Sequence, residues 1–348
     1  MSNLKVNTIN DASGGSAAVL YGVASPPNSM GFRNRIINGD MRIDQRNAGA
    51  SVSTASGSSV YITDRFFVAY TQTSKMTGQQ NAGAVTPPVG FTNYLGITSS
   101  SAYSVLTGDT FGLFHRIEGF NTSDLGWGTA NAQTITISFL VRSSLTGTFG
   151  GALQNADANR SYPFTYTISA ANTWEQKTIT VAGDTSGTWG AGNGIGIQIV
   201  FGLGSGSTWS GTAGAWTAGN LRTATGATSV VGTSGATFYI TGVQLEAGSV
   251  ASPFERRDYG RELMMCQRYY EAGSIYNYWN TTTYSIVGMR FLVAKRATPT
   301  MTVTASQAWS GGAVGTTLAS IGNDSQQFHV TNPNNGNLGA LWTASAEL

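Results

Sequence analysis

Phe238-Tyr-Ile-Thr-Gly-Val-Gln-Leu-Glu246, continuing through Ala251-Ser-Pro-Phe-Glu255 into Asp258-Tyr-Gly-Arg-Glu-Leu-Met-Met-Cys-Gln-Arg-Tyr-Tyr270, is the stretch in which the chain changes its period. Before Glu246 apolar residues recur every second position, the spacing of a strand with one buried face. After Pro253, Tyr259, Leu263, Cys266 and Tyr270 recur at four, three and four, which is helical. Asp258 is placed to cap that helix and Gly273 to end it. Within the strand the parity breaks: Phe238 and Ile240 fall on one side, Val243 and Leu245 on the other. A bulge at Gly242 restores a common buried face, and glycine suits it.

Working outward, period two rules residues 33–255. Ile62, Asp64, Phe66, Val68 and Tyr70 read as one face of a single strand, and Ile135, Ile137, Phe139 and Val141 as another. Phe164, Tyr166 and Ile168 repeat the pattern, as do Ile195, Ile197, Ile199 and Phe201. Short alternating strands between Gly-rich turns predict an all-β fold, an antiparallel jelly-roll sandwich. Beyond the helix, residues 284–294, 300–305, 328–330 and 338–342 alternate again and predict a smaller C-terminal β domain. The expected organisation is an arm over 1–30, the sandwich over 31–257, a linking helix over 258–272 and the second β domain over 273–348.

Composition narrows the function classes. Charged residues make up 10% of the 348, against about 25% in ordinary soluble domains, while glycine reaches 45. With 41% hydrophobic and 11% aromatic residues the chain has the means to form a core, so disorder does not explain the deficit. A net charge of +2 from 19 basic and 17 acidic residues leaves no footprint for nucleic acid. Cys266 is the sole cysteine, which excludes an intrachain disulfide framework. No run has the length of a membrane span, and the first residues lack the apolar core of a secretory signal.

The junction at 238–270 resembles the closing segment of bacteriophage virion proteins, chiefly cyanophage-like tail fibres with a carbohydrate-binding-module-like jelly roll. Asn34-Arg-Ile-Ile-Asn-Gly-Asp-Met-Arg-Ile-Asp-Gln-Arg46 resembles the first strand of such domains. Leu4-Lys-Val-Asn-Thr-Ile-Asn-Asp-Ala-Ser-Gly-Gly15 resembles the start of phage fibre proteins, and the stretch from Met289 to Met301 resembles their C-terminal part. The resemblance implies a virion protein of tail or fibre, made in the host cytoplasm, that recognises host surface polysaccharide or lipopolysaccharide without catalysis. It implies a homotrimer, with Tyr259, Leu263, Tyr269, Tyr270 and Trp279 as candidate contacts. It also implies attachment to other virion proteins through the arm, where Leu4, Val6 and Ile9 form an apolar strip. A structural Ca²⁺ is common in these jelly rolls, and Asp40 matches one ligand. Thr241 and Gly242 stand where the family carries acidic residues, so no metal or other cofactor is assigned.

Motifs for chemistry are sparse. His115 and His329 sit in apolar strand patterns, and Gly190–Gly196 leads into a strand, whereas a phosphate loop leads into a helix. Asp109, Glu118, Asp124, Asp157, Glu175 and Asp184 are available for a glycosidase pair, and the sequence places no two of them together. Trp174, Trp189, Trp209 and Trp216 lie in Gly, Ser and Thr-rich turns, where an indole face stacks on a sugar or packs into the sandwich. The expected function is a fibre or adhesin subunit that binds glycans. The alternatives are a capsid decoration or fibre/neck component touching only virion proteins, and a polysaccharide-degrading spike.

Overall fold

The alternation from Ile135 to Val141 is realised as a strand, Ile135–Ser143, with Ile135, Ile137, Phe139 and Val141 fully buried on one face. The computed structural model describes residues 32–279, 285–308, 315–320, 322–331 and 336–348, and Leu4, Val6 and Ile9 lie outside the described residues. Ile135–Ser143 belongs to a six-stranded sheet. Its order is Val52–Ser53, Met76–Gln80, Leu95–Ser99, Thr237–Ala247, Ile135–Ser143 and Glu175–Val181. Facing it is a seven-stranded sheet in the order Thr217–Ala218, Arg160–Ile168, Gly147–Gln154, Ile195–Ser205, Thr110–Glu118, Phe66–Tyr70 and Ser59–Thr63. Every pairing in both sheets is antiparallel. The fold is an all-β jelly-roll sandwich with, among the described residues, one short α-helix and a smaller β region after it.

Phe139, Phe149, Phe201 and Phe238 are buried between the sheets, with Phe139 and Phe201 edge-to-face at 5.1 Å. Each such side chain contributes about 1.5–3 kcal/mol on burial. The closing strand carries the bulge that its parity requires. Its register against Ile135–Ser143 slips between Thr241 and Gln244, Gly242 has φ +62, and Phe238, Ile240, Val243 and Leu245 all reach the core.

Ile62 to Tyr70, read above as one strand, is a hairpin. Ser59–Thr63 pairs with Phe66–Tyr70, turning at Asp64 and Arg65, where Arg65 has φ +69. A two-residue turn preserves parity, so Ile62, Phe66, Val68 and Tyr70 share the core face as an uninterrupted strand would.

The helix spans Tyr259–Gln267, and the Asp258 carboxylate accepts from Arg261 N at 2.9 Å. It stops well before Gly273, because Tyr270 already pairs with Ser345 in a new strand. Gly273 lies within that strand, opposite Trp342, whose indole fills the space a Cβ would take. Glu262, Cys266 and Tyr269 face inward. Tyr269 and Tyr270, expected at a subunit contact, are instead buried within the chain beneath Arg65 and Arg46. Tyr259 is 56% exposed, Leu263 packs at the edge of the inward cluster, and Trp279 closes strand Tyr270–Trp279.

That strand joins Gly336–Ser345 and Thr300–Ala308 in a three-stranded sheet. Ser285–Arg290, Ser325–Thr331 and Gly315–Ser320 form another, with His329 in register with Ile286 and Thr317. Residues 346–348 return to the sandwich, where Ala346 N donates to Tyr269 O at 2.7 Å.

An alanine at 242 would hold a left-handed φ, with its Cβ 2.8 Å from the Phe91 ring. Gly242→Ala is expected to destabilise the chain by roughly 1–3 kcal/mol, read as a lower urea midpoint; an unchanged midpoint would rule out strain at the bulge.

Candidate functional site

The outer face of the seven-stranded sheet breaks the inside-outside alternation. Tyr61, Phe67, Phe114, Val200 and Ala152 follow one another across five strands. Tyr61 to Phe67 is 5.2 Å and Phe67 to Phe114 is 5.2 Å at an interplanar angle of 17°. A polar row runs beside them. Arg116 Nε donates to Gln198 Oε1, Gln198 Nε2 to Gln154 Oε1, and Gln154 Nε2 to Asn220 Oδ1, each at 2.7 Å.

On the other side the sheet is stripped to glycine, and a loop lies on it. A Cβ on Gly202 would come within 2.6 Å of Thr223 Oγ1, and one on Gly150 would meet Thr223 Oγ1 and Ala224 N. Thr223–Ala224 bridges in parallel to Ser210–Gly211, and Arg222 N donates to Trp209 O at 2.7 Å. This sets the Arg222 guanidinium carbon 4.0 Å from the centre of the Trp209 ring and 5.4 Å from that of Phe114. Trp209 Nε1 donates to Gly108 O at 2.9 Å, which fixes the indole.

Together these elements enclose a cleft of about 460 Å³, within the range of small-molecule sites. Tyr61, Phe67 and Ala69 form its floor, Trp209 and Arg222 one wall, Ser58, Ser59, Tyr70 and Thr71 the rim. The opposite wall is Arg116 with Glu347 and Leu348. The Glu347 carboxylate accepts from Arg46 at 2.6 Å and from the fully buried Arg65. Arg116 donates to Leu348 O, and its guanidinium carbon lies 4.8 Å from the Phe67 ring centre.

The four tryptophans singled out by sequence do not converge. Trp209 lines the cleft. Trp174 packs on Tyr94, at 5.5 Å on the outer face of the six-stranded sheet, and donates to Thr86 O. Trp189 and Trp216 meet each other at 5.3 Å and meet Trp127 at 4.7 and 5.3 Å, all edge-to-face. Each of these three indole N–H groups is taken by a nearby carbonyl, and the trio packs against the main core. Tyr61, Phe67, Phe114, Arg116 and Arg222 were not singled out. The available signal was an aromatic at the outward parity of strands already apolar inward, as in Phe66-Phe67 and Leu113-Phe114.

The candidate carboxylates are dispersed, and most have partners. Asp184 makes a bidentate pair with Arg160, Asp124 binds Arg35, and Glu175 binds Lys177; Asp157 is exposed. Burial pushes the Glu118 carboxyl up, but bonds from Arg268 and Tyr269 outweigh it and hold it below the usual range. Burial likewise raises Asp109, and donors on Tyr103, Leu106, Gln72 and Thr71 outweigh it. His115 is buried, bonded through Nε2 to Ile37 O at 3.1 Å, and kept neutral by desolvation and Arg65. Asp40 pairs with Arg42 at 2.5 Å, and among the described residues no three acidic, His or Cys side chains converge on a metal position. No helix of the described residues is long and apolar enough to cross a membrane.

No family model matches the chain, and no curated protein matches it. Among solved structures it is similar to the enzymatically active domain of bacteriophage CBA120 tailspike protein 4. That match has 11% identity over 57% of this chain and 22% of that one, with a TM-score of 0.31. It is similar to TmCBM61 in complex with β-1,4-galactotriose, at 10% identity over 62% and 99%, TM-score 0.31. It is also similar to the family 11 carbohydrate-binding module of Lic26A-Cel5E of Clostridium thermocellum, at 14% over 60% and 100%, TM-score 0.28. Likenesses of this size assign no function.

Behind the Glu347 wall, burial pushes Asp64 up to about 7, opposed by the Gln45 hydrogen bond and Arg46. A raised carboxyl stabilises the fold fully below its unfolded value near 4, and that stabilisation is lost as pH rises through 7. Asp64→Asn is therefore expected to flatten the fall in unfolding midpoint between pH 4 and 7, a fall on the order of 4 kcal/mol; an identical pH profile for both proteins would refute the assignment. Trp216→Ala opens a void in the indole trio and is expected to lower stability by about 2–3 kcal/mol, measured by urea unfolding.

Proposed function

We propose that the chain is a non-catalytic glycan-binding subunit of a phage tail fibre, and that the cleft on the outer face of the seven-stranded sheet is its binding site. The observation that carries the reading is the meeting of an aromatic floor, Tyr61 and Phe67 at 5.2 Å and 46°, with Trp209 in a cleft rimmed by Ser58, Ser59 and Thr71. Aromatic faces stack on the apolar face of a pyranose, while hydroxyls and amides satisfy its polar edge. The virion setting is supported by the family resemblance of residues 34–46 and 238–270.

The absence of catalysis is supported by the carboxylates. A glycosidase needs one acid kept protonated near neutral pH, opposite a second carboxylate. Glu118 and Asp109 are held ionised, and Asp184, Asp124 and Glu175 are committed to cations. Asp64, whose carboxyl is raised to about 7, is buried behind the Glu347 wall on Gln45 and does not line the cleft. In the cleft itself the described carboxylate is Glu347, which is paired twice.

The test is retention of the full chain by immobilised bacterial surface polysaccharides, with released reducing ends assayed in parallel. Trp209→Ala is expected to weaken binding by the folded fraction about tenfold, whereas Trp216→Ala leaves binding by the folded fraction intact. Retention of no polysaccharide would favour a subunit that contacts only virion proteins, and release of reducing ends would favour a degrading spike.

A further inference from the structure

The cleft has a charge surplus that the sandwich does not need. In a chain with only 10% charged residues, four guanidiniums (Arg46, Arg65, Arg116 and Arg222) gather around it. Glu347 is consumed by Arg46 and Arg65, and Arg116 is held by Gln198 and by Leu348 O. Among the described residues Arg222 has no hydrogen-bond or ion-pair partner for its side chain. Its Nε is buried and unpartnered, and its contacts are with the Trp209 and Phe114 rings. Desolvation, followed by repulsion from Arg116, pushes the Arg222 guanidinium down to about 10, so the cation is held at a cost that a bound anion would relieve.

We infer that the cleft takes an acidic saccharide, whose carboxylate or phosphate group docks on the Arg222 fork while the sugar ring lies on the Trp209 and Phe67 faces. The inference rests on the glycan-binding reading above and adds to it the charge of the sugar. A guanidinium stacked on an indole is fixed in plane and presents its remaining N–H donors edge-on, the geometry that matches a planar carboxylate or a phosphate. Arg116, over the adjacent ring of the same aromatic stack, adds a second positive charge. The Glu347 carboxylate stands at the opposite wall with its oxygens already occupied, and so does not claim Arg222.

The experiment uses the full chain and polysaccharides supplied in pairs. Polygalacturonate is matched with its carboxyl-reduced form, and a phosphomannan with its dephosphorylated form, on a bacterial surface-polysaccharide array treated in the same two ways. Preference for the untreated member of a pair, weakening between 0.05 and 0.5 M salt, is the expected result; which pair shows it identifies uronate or phosphate as the anion. Arg222→Gln is expected to lose about tenfold to a hundredfold more for the acidic member than for the neutral one, which abolishes the preference, and Arg222→Lys to recover part of it. Equal binding of acidic and neutral members, or an Arg222→Gln protein that keeps the preference, overturns this inference and leaves glycan binding standing. Binding to no member of any pair overturns both.

Discussion

The Trp209 and Arg222 wall on the outer face of the seven-stranded sheet depends on the close approach of Thr223 to Gly150 and Gly202. A side chain at either position would push Thr223 outward, and the segment carrying Arg222 would lift from the sheet with Trp209 in tow. Because the two segments are bridged in parallel over only two residues each, they have little hydrogen bonding of their own. Their position is inherited from the sheet beneath. The Trp209 and Arg222 wall of the cleft is thus set by one constraint, the absence of Cβ atoms at Gly150 and Gly202 on two strands of the sheet.

Charge is used sparingly elsewhere, and where it is buried it ties distant segments together. Arg257 donates to the carbonyls of Asn34 and Ile36 and lies 3.3 Å from Glu262, which in turn accepts from Asn38 N. Asn34 itself bonds to Val243 O and accepts from Leu245 N. The opening segment, the closing strand and the helix are thereby locked at one corner. Losing one partner of such a buried pair costs more than the pair contributes, because the other charge is stranded. The arrangement specifies a register as much as it adds stability.

Much of the sandwich was legible because its strands obey period two and its closing strand declares its own bulge through the parity of Phe238, Ile240, Val243 and Leu245. The hairpin at Asp64 and Arg65 was not legible, since a two-residue turn preserves parity and a left-handed Arg is invisible to pattern reading. The helix stopped short of Gly273 because strand pairing with Ser345 competes for Tyr270, a tertiary effect no local signal reports. The tryptophans were read as one class by their turn-like surroundings, yet three carbonyls fix Trp127, Trp189 and Trp216 as packing elements. The cleft was hidden for the opposite reason. Its aromatics sit in strands, where Phe67 and Phe114 look like surplus core until the sheet is assembled and their face is seen to point away from it.

One wall of the cleft belongs to residues that follow the last strand of the C-terminal sheet. Glu347 and Leu348 follow directly on the Gly336–Ser345 strand, so the sandwich and the C-terminal sheet share that wall. Tension applied between them would load the two guanidinium contacts of Glu347 and the Arg116 bond to Leu348 O in series with the strand. When those contacts yield, the cleft loses a side. The placement of the C-terminal strand and the shape of the cleft are therefore coupled through Glu347 and Leu348.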